Sequence, residues 1–228
     1  MNPVFVALDT TDLDRARNLA ARLKPYVGGL KLGLEFFNAH GPQGVRAFRD
    51  LGLPIFLDLK FHDIPNTVAG AARAAAGLGV EILNVHAAGG EAMLKAARQA
   101  AHGVNPKTKV IAVTVLTSLS DADLDTTGQR GPAQDQVLRL AALTRDCGLA
   151  GVVCSAHEIA LLRKTMGPDF LLVVPGIRPK GAALGDQQRV MGPKEALDLG
   201  ASILVIGRPI TEAQDPVLAA RDIASSLK

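Results

Sequence analysis

Tryptophan is absent from this 228-residue sequence, tyrosine occurs once and cysteine twice. With so few aromatics, scattered lysines and arginines and a net charge of only +3, the chain offers neither the basic face nor the stacking platforms that nucleic-acid binding uses. Cys147 and Cys154 sit in apolar surroundings, Arg145-Asp146-Cys147-Gly148-Leu149 and Val152-Val153-Cys154-Ser155, without zinc-site or redox spacing. They are expected as buried free thiols in a reducing compartment. No apolar run approaches transmembrane length, and Met1-Asn2-Pro3-Val4-Phe5-Val6-Ala7-Leu8-Asp9 lacks a basic region followed by a signal-length apolar stretch. No membrane partner and a cytoplasmic location are therefore expected. Long blocks of one charge, low-complexity segments and interdomain linkers are also missing, which excludes disorder and coiled coil.

What is present is a high apolar content, 48%, arranged in short runs that alternate with longer Ala-rich amphipathic stretches. Strands are expected at Val4 to Leu8, Leu30 to Gly33, Ile55 to Lys60, Glu81 to His86, Val110 to Leu116, Gly151 to Ser155, Leu171 to Pro175 and Ser202 to Ile206. Helices follow them, among them Asp12 to Leu23, Thr67 to Leu78, Glu91 to Ala101 and Pro216 to Leu227. Pro65, Pro209 and Pro216 suit the first turns of helices. Eight strand–helix pairs in this length predict a closed (β/α)8 TIM barrel, one domain spanning 1–228. A doubly wound sheet would want a Gly-rich turn after its first strand, and Leu8-Asp9-Thr10-Thr11 has none.

Alternation along the third strand puts Phe56, Asp58 and Lys60 on one face and Leu57 and Leu59 on the other. If the leucines meet the helices, a carboxylate and an ammonium point into the barrel at its C-terminal end, where barrel enzymes gather catalytic groups. Asp63 follows three residues later. A salt-bridge network plugging the barrel is the bland alternative, and Asp63 alone reads equally as a helix cap. Carboxylates beside Lys60 favour its protonated form, hence a proton donor rather than a Schiff-base nucleophile. Asp9 and Lys31 end two further strands. Asp9 can accept hydrogen bonds from sugar hydroxyls, and Lys31 can hold Asp58. The turns Gly176-Ile177-Arg178-Pro179 and Gly207-Arg208-Pro209-Ile210-Thr211 follow the seventh and eighth strands, the place of a barrel's phosphate site. An Arg fork there suits phosphate. The long Gly-punctuated stretch 176–192 has the length of a lid. His86 is either a pocket residue or a hydrogen-bonded core histidine, and Thr117 either a ligand contact or a turn residue.

Asp58-Leu59-Lys60-Phe61-His62-Asp63-Ile64-Pro65-Asn66-Thr67 resembles the signature of the orotidine 5′-phosphate decarboxylase family. The resemblance covers nearly the whole chain, with Val6-Ala7-Leu8-Asp9, Lys31-Leu32-Gly33, Asn84-Val85-His86, Val113 to Ser118, Val174-Pro175-Gly176-Ile177-Arg178 and Ile206-Gly207-Arg208-Pro209-Ile210 in family order. It implies decarboxylation of orotidine 5′-monophosphate to uridine 5′-monophosphate, without metal or organic cofactor. It also implies a homodimer in which Asp63, Ile64 and Thr67 reach across to the partner's site. Lys60, Asp58, Asp63 and Lys31 take the catalytic places. Asp9, Lys31 and Thr67 lie near ribose, Thr117 near the pyrimidine, and Gln187, Gly207 and Arg208 at the phosphate, with Arg178 on the lid; spacing leaves Gln188 as the alternative to Gln187.

Two rivals remain open at this point. A metal-dependent sugar-phosphate decarboxylase or aldolase of the same superfamily resembles the chain around Asp-x-Lys-x-x-Asp, but carries a metal-binding carboxylate where Lys31 stands. A silent nucleotide-binding barrel would keep Arg208 and the lid with no need of Lys60 between carboxylates.

Overall fold

Valine-, isoleucine- and leucine-rich runs fold as eight parallel strands in a computed structural model that describes residues 2–129, 131–179 and 191–227. They are β1 (Val4–Ala7), β2 (Gly29–Gly33), β3 (Ile55–Phe61), β4 (Ile82–His86), β5 (Lys109–Val113), β6 (Gly151–Val153), β7 (Leu171–Val174) and β8 (Ile203–Ile206). Each pairs in parallel with its successor, and β8 closes on β1 through Val4 with Leu204 and Val6 with Ile206. The expected TIM barrel is therefore the fold.

Around it run α1 (Leu13–Leu23), α2 (Leu34–Arg46), α3 (Pro65–Ala76), α4 (Gly90–Val104), α5 (Asp121–Thr126), α6 (Ala133–Asp146), α7 (Ile159–Met166), α8 (Pro193–Asp198), α9 (Arg208–Thr211) and α10 (Pro216–Ser226). Helix starts follow the local chemistry: Asp12 caps α1 by accepting the Arg15 N–H at 2.9 Å, and Asp215 caps α10 on the Val217 and Leu218 N–H groups. Pro65 and Pro216 open α3 and α10.

Strand alternation divides the core in two. Val4, Val6, Leu8, Ile55, Leu57, Leu83 and their like face the helices in one large cluster. Phe5, Ala7, Phe56, Ile82, Ile111, Val173 and Val205 fill the barrel itself. The Phe5 ring needs Gly29 beside it, because a Cβ there would lie 2.4 Å from the ring edge. This apolar plug closes the barrel below and forms the floor on which polar groups stand at the C-terminal end.

Several boundaries differ from expectation. The fifth strand ends at Val113 rather than Leu116, since its neighbour β6 is only three residues long. Thr114, just past the strand, donates both its backbone N–H at 3.3 Å and its hydroxyl at 3.1 Å to the Val153 carbonyl, and Thr117 lies in a turn. β6 stops before Ser155, which turns the chain by exchanging hydrogen bonds with Glu158 and His157. A short extra helix, α5, precedes α6 and is started by a reciprocal Ser120–Asp123 cap. Cys147 and Cys154 are buried and free, as expected, and burial pushes the Cys154 thiol well up.

Candidate active site

A cavity of about 560 Å³ opens at the C-terminal ends of the strands. Its lining brings together Asp9 from the end of β1, Lys31 from β2, Asp58 and Lys60 from β3, Thr117 after β5, Arg178 after β7, and Gly207 and Arg208 after β8. The polar groups form two ends, one of alternating charge and one of arginines.

At the first end the charges run in a row. Lys31 Nζ sits 3.0 Å from Asp9 Oδ1 and 3.5 Å from Asp58 Oδ2, and Lys60 Nζ donates to Asp58 Oδ1 at 2.6 Å. Asn84 Nδ2 donates to the same Asp58 oxygen at 2.7 Å. Asp58 is 9% exposed and Lys31 8%. Burial works most strongly against the Asp58 anion, but Lys31, Lys60 and the hydrogen bonds of Lys60 and Asn84 together outweigh it and hold the carboxyl below its usual range. Gly33 permits this crowding: a Cβ on it would lie 2.8 Å from Lys31 Nζ and 3.0 Å from Asp9 Oδ1.

Lys60 reaches its place by an unusual backbone. Its φ of 52° is the only positive value at a non-glycine among the described residues. The expectation that Asp58 and Lys60 share a face holds, but regular alternation does not produce it. The β3–β4 register shifts between Leu57 and Phe61, and Lys60 stands within that irregularity.

At the second end Arg178 is buried, with Nη1 donating to its own Ile177 carbonyl at 3.1 Å and Nε lacking a partner among the described residues. Burial, with Arg208 nearby, pushes its pKa down, and Glu212 partly opposes this. The Arg178 N–H also donates to the Met191 carbonyl at 3.0 Å, joining the two described ends of the 176–192 stretch. Gln187 and its alternative Gln188 lie outside the described residues.

Three expected residues do not enter this chain's own cavity. Asp63, Ile64 and Thr67 are all exposed on the rim, Ile64 to 67%. The Asp63 carboxylate accepts the adjacent Ile64 N–H at 2.6 Å, and no described contact joins it to Lys60 or Lys31. His86 is half-buried with its ring 5.4 Å from that of His62. Burial, then His62 and Lys60, lower its pKa against the pull of Asp58.

Glu35 and Glu212 are polar site residues that sequence reasoning passed over, while Asn84, Gly33 and Thr211 stood within quoted motifs but were given no role. For Asn84 a signal existed, because it alternates with the inward Ile82 and breaks the apolar run Ile82-Leu83-Asn84-Val85. Among the described residues no cluster of three or more His, Cys, Asp or Glu is placed to hold a metal ion, and no helix is long and apolar enough to cross a membrane.

Comparison with known proteins bears on this geometry. Residues 2–223 match the model of a family described as "Orotidine 5'-phosphate decarboxylase / HUMPS family". Among similar curated proteins, the orotidine 5′-phosphate decarboxylase of Rhodospirillum rubrum is 59% identical, over 99% of this chain and 94% of the relative. That of Novosphingobium aromaticivorans is 55% identical over 99% of both. Among solved structures, the orotidine 5′-phosphate decarboxylase of Lactobacillus acidophilus superposes with a TM-score of 0.89 at 39% identity, covering 100% of both chains.

Proposed function

Because this chain belongs to the orotidine 5′-phosphate decarboxylase / HUMPS family, we propose that it is a decarboxylase converting orotidine 5′-monophosphate to uridine 5′-monophosphate and CO₂ in pyrimidine nucleotide synthesis. The observation that carries the reading is the row Asp9, Lys31, Asp58, Lys60 at one end of a cavity whose other end holds Arg178 and Arg208. A phosphate fits the arginines, and a group losing negative charge fits the row.

In this mechanism Asp58 lies against the substrate carboxylate. The carbon–carbon bond breaks, CO₂ departs, and the electron pair stays on the ring carbon, which takes a proton from Lys60 Nζ. Lys31 keeps Asp58 ionised and placed. Asp9 and Thr67 meet ribose, Thr117 the pyrimidine, and Arg178, Gln187, the backbone of Gly207 and Arg208 the phosphate. Acceleration comes from preorganised charge that favours the transition state over the ground state, not from covalent chemistry. No metal or organic cofactor is assigned. The Lys31 ammonium between Asp9 and Asp58 repels a divalent cation from the position where the metal-dependent relatives place a carboxylate.

The acting unit in this proposal is a homodimer of single-domain chains in the cytoplasm, each supplying Asp63, Ile64 and Thr67 to the other's site. The exposure of all three on the rim supports that arrangement, as does the absence of any described contact between Asp63 and the charged row of its own chain.

The test is the ultraviolet absorbance change of orotidine 5′-monophosphate with purified protein in excess EDTA, beside folded Lys60→Ala. Rapid substrate loss with wild type and near-total loss of turnover in the variant are expected. Normal turnover in Lys60→Ala, or a Mg²⁺ requirement in wild type, sinks the assignment.

A further inference from the structure

β3 carries three residues where β4 carries one. Leu57 pairs with Leu83 and pairing resumes at Phe61 with Val85, so Asp58, Leu59 and Lys60 stand opposite Asn84 alone. Lys60 absorbs the surplus with its positive φ. Its N–H, turned out of the ladder, donates to Asn84 Oδ1 at 2.8 Å, while Nδ2 of the same amide donates to Asp58 Oδ1 at 2.7 Å. Asn84 is fully buried.

We infer that Asn84 is a positioning residue for the decarboxylation: its amide pins the bulge and so holds the Asp58 carboxylate and the Lys60 ammonium against each other. The role rests on the proposed function for what the positioning serves. The chemistry is narrow, since the bulge supplies a donor at one end and a carboxylate at the other. A neutral amide of this length answers both. Aspartate would accept from Lys60 N–H but set a second carboxylate against Asp58, leucine would leave the Lys60 N–H unmet and take one donor from Asp58, and glutamine is one methylene too long. With Asn84 and Lys60 Nζ both on Oδ1, Asp58 Oδ2 is left to Lys31 and the cavity.

The groups facing Asp58 are Lys60 on its own strand, Lys31 on β2 and Asn84 on β4. Asp9 on the far side of Lys31, and His86 and His62 beyond Lys60, complete the surroundings. Removing the Asn84 donor moves the Asp58 carboxyl upward, toward its usual range.

Wild type, Asn84→Leu and Asn84→Asp are compared in steady-state kinetics across pH, each checked for folding by circular dichroism. In Asn84→Leu we expect kcat to fall roughly 100-fold, with KM changing less than about threefold and the acid limb of kcat moving to higher pH. In Asn84→Asp the paired carboxyls share one proton over an intermediate pH range. The protonated partner then again donates to Asp58 and accepts from Lys60 N–H, so turnover recovers as pH falls from neutrality. Wild-type kcat in Asn84→Leu overturns the inference; so does loss in both variants by a pH-independent factor. Titration of the Asp58 carboxyl carbon by ¹³C NMR gives a readout free of turnover: it should titrate higher in Asn84→Leu than in wild type, and an unchanged titration refutes the positioning role. If wild type fails to decarboxylate orotidine 5′-monophosphate, the proposed function falls while this titration still decides the role of Asn84.

Discussion

Lys60 stands at φ 52°, where glycine is at ease and a residue with a Cβ is not. Replacing it by alanine and by glycine separates that backbone cost from the loss of the ammonium, since both variants lose the 2.6 Å contact to Asp58 and both keep the N–H that Asn84 accepts. Alanine at positive φ costs roughly 1–2 kcal/mol, and glycine gives back about 0.5–1 kcal/mol through its freer unfolded chain. Lys60→Gly should therefore be more stable than Lys60→Ala by about 0.5–1 kcal/mol, or about 1–4 °C in Tm for a chain of this size. Lys109 is the control: it starts β5, has no positive φ, and its contact to Glu81 is lost equally in both replacements. There glycine should melt below alanine by a similar amount. Calorimetric melts of the four variants without ligand read the sign at each position. Lys60→Gly melting below Lys60→Ala, as at position 109, would refute the claim that the site stores backbone strain.

Lys31→Met should destabilise the protein by about 3 kcal/mol at pH 7, the low end for breaking a buried pair because Lys60 and Asn84 remain on Asp58. That is about 6–12 °C in Tm. Asp58 is depressed in the fold, so its ionisation contributes stability above the unfolded pKa of about 3.9 that is lost as pH falls through the folded value. Without Lys31 the folded value rises, and the gap to wild type should narrow as the pH of the melts approaches about 4; a constant gap would refute this. If the sites are shared between two copies, unfolding and refolding Lys60→Ala with Asp63→Asn in equal amounts should restore about a quarter of wild-type activity. Half the dimers are then mixed, with one intact site in each. Absence of recovery, with mixed dimers shown to form, removes Asp63 from the partner's site.

The barrel was legible because β-branched runs and Ala-rich stretches alternate eight times, and the charged row because inward positions at strand ends converge once a barrel closes. What was not legible is set by neighbours. β5 stops at Val113 because β6 gives it three partners, and residues 114–116 are as apolar and β-branched as a strand needs. The β3 bulge depends on pairing with β4, so neither the positive φ of Lys60 nor the pinning role of Asn84 is written in local sequence. Gly33 matters through the space it leaves for Lys31 and Asp9, a contact that exists only after β1 and β2 pair. Spacing placed Asp63 only three residues past Lys60, and it was the family resemblance that sent it toward a partner's site; its backbone lies past the end of β3 and its side chain is exposed on the rim.

The two ends of the cavity differ in how their charges are met. Asp9, Lys31, Asp58 and Lys60 balance one another, each carboxylate touching an ammonium. Arg178 is buried with its Nε unmet among the described residues and Arg208 nearby, so the arginine end favours an anion even though Glu212 partly offsets it. In the proposed reaction the phosphate settles where positive charge is in excess, and the same molecule's carboxylate is thereby brought to a row with no positive charge to spare. Loss of CO₂ transfers that negative charge to the ring carbon, and the proton of Lys60 then neutralises it. Favourable contacts far from the breaking bond thus offset an unfavourable one beside it, which lowers the barrier only because the unfavourable contact eases as CO₂ leaves.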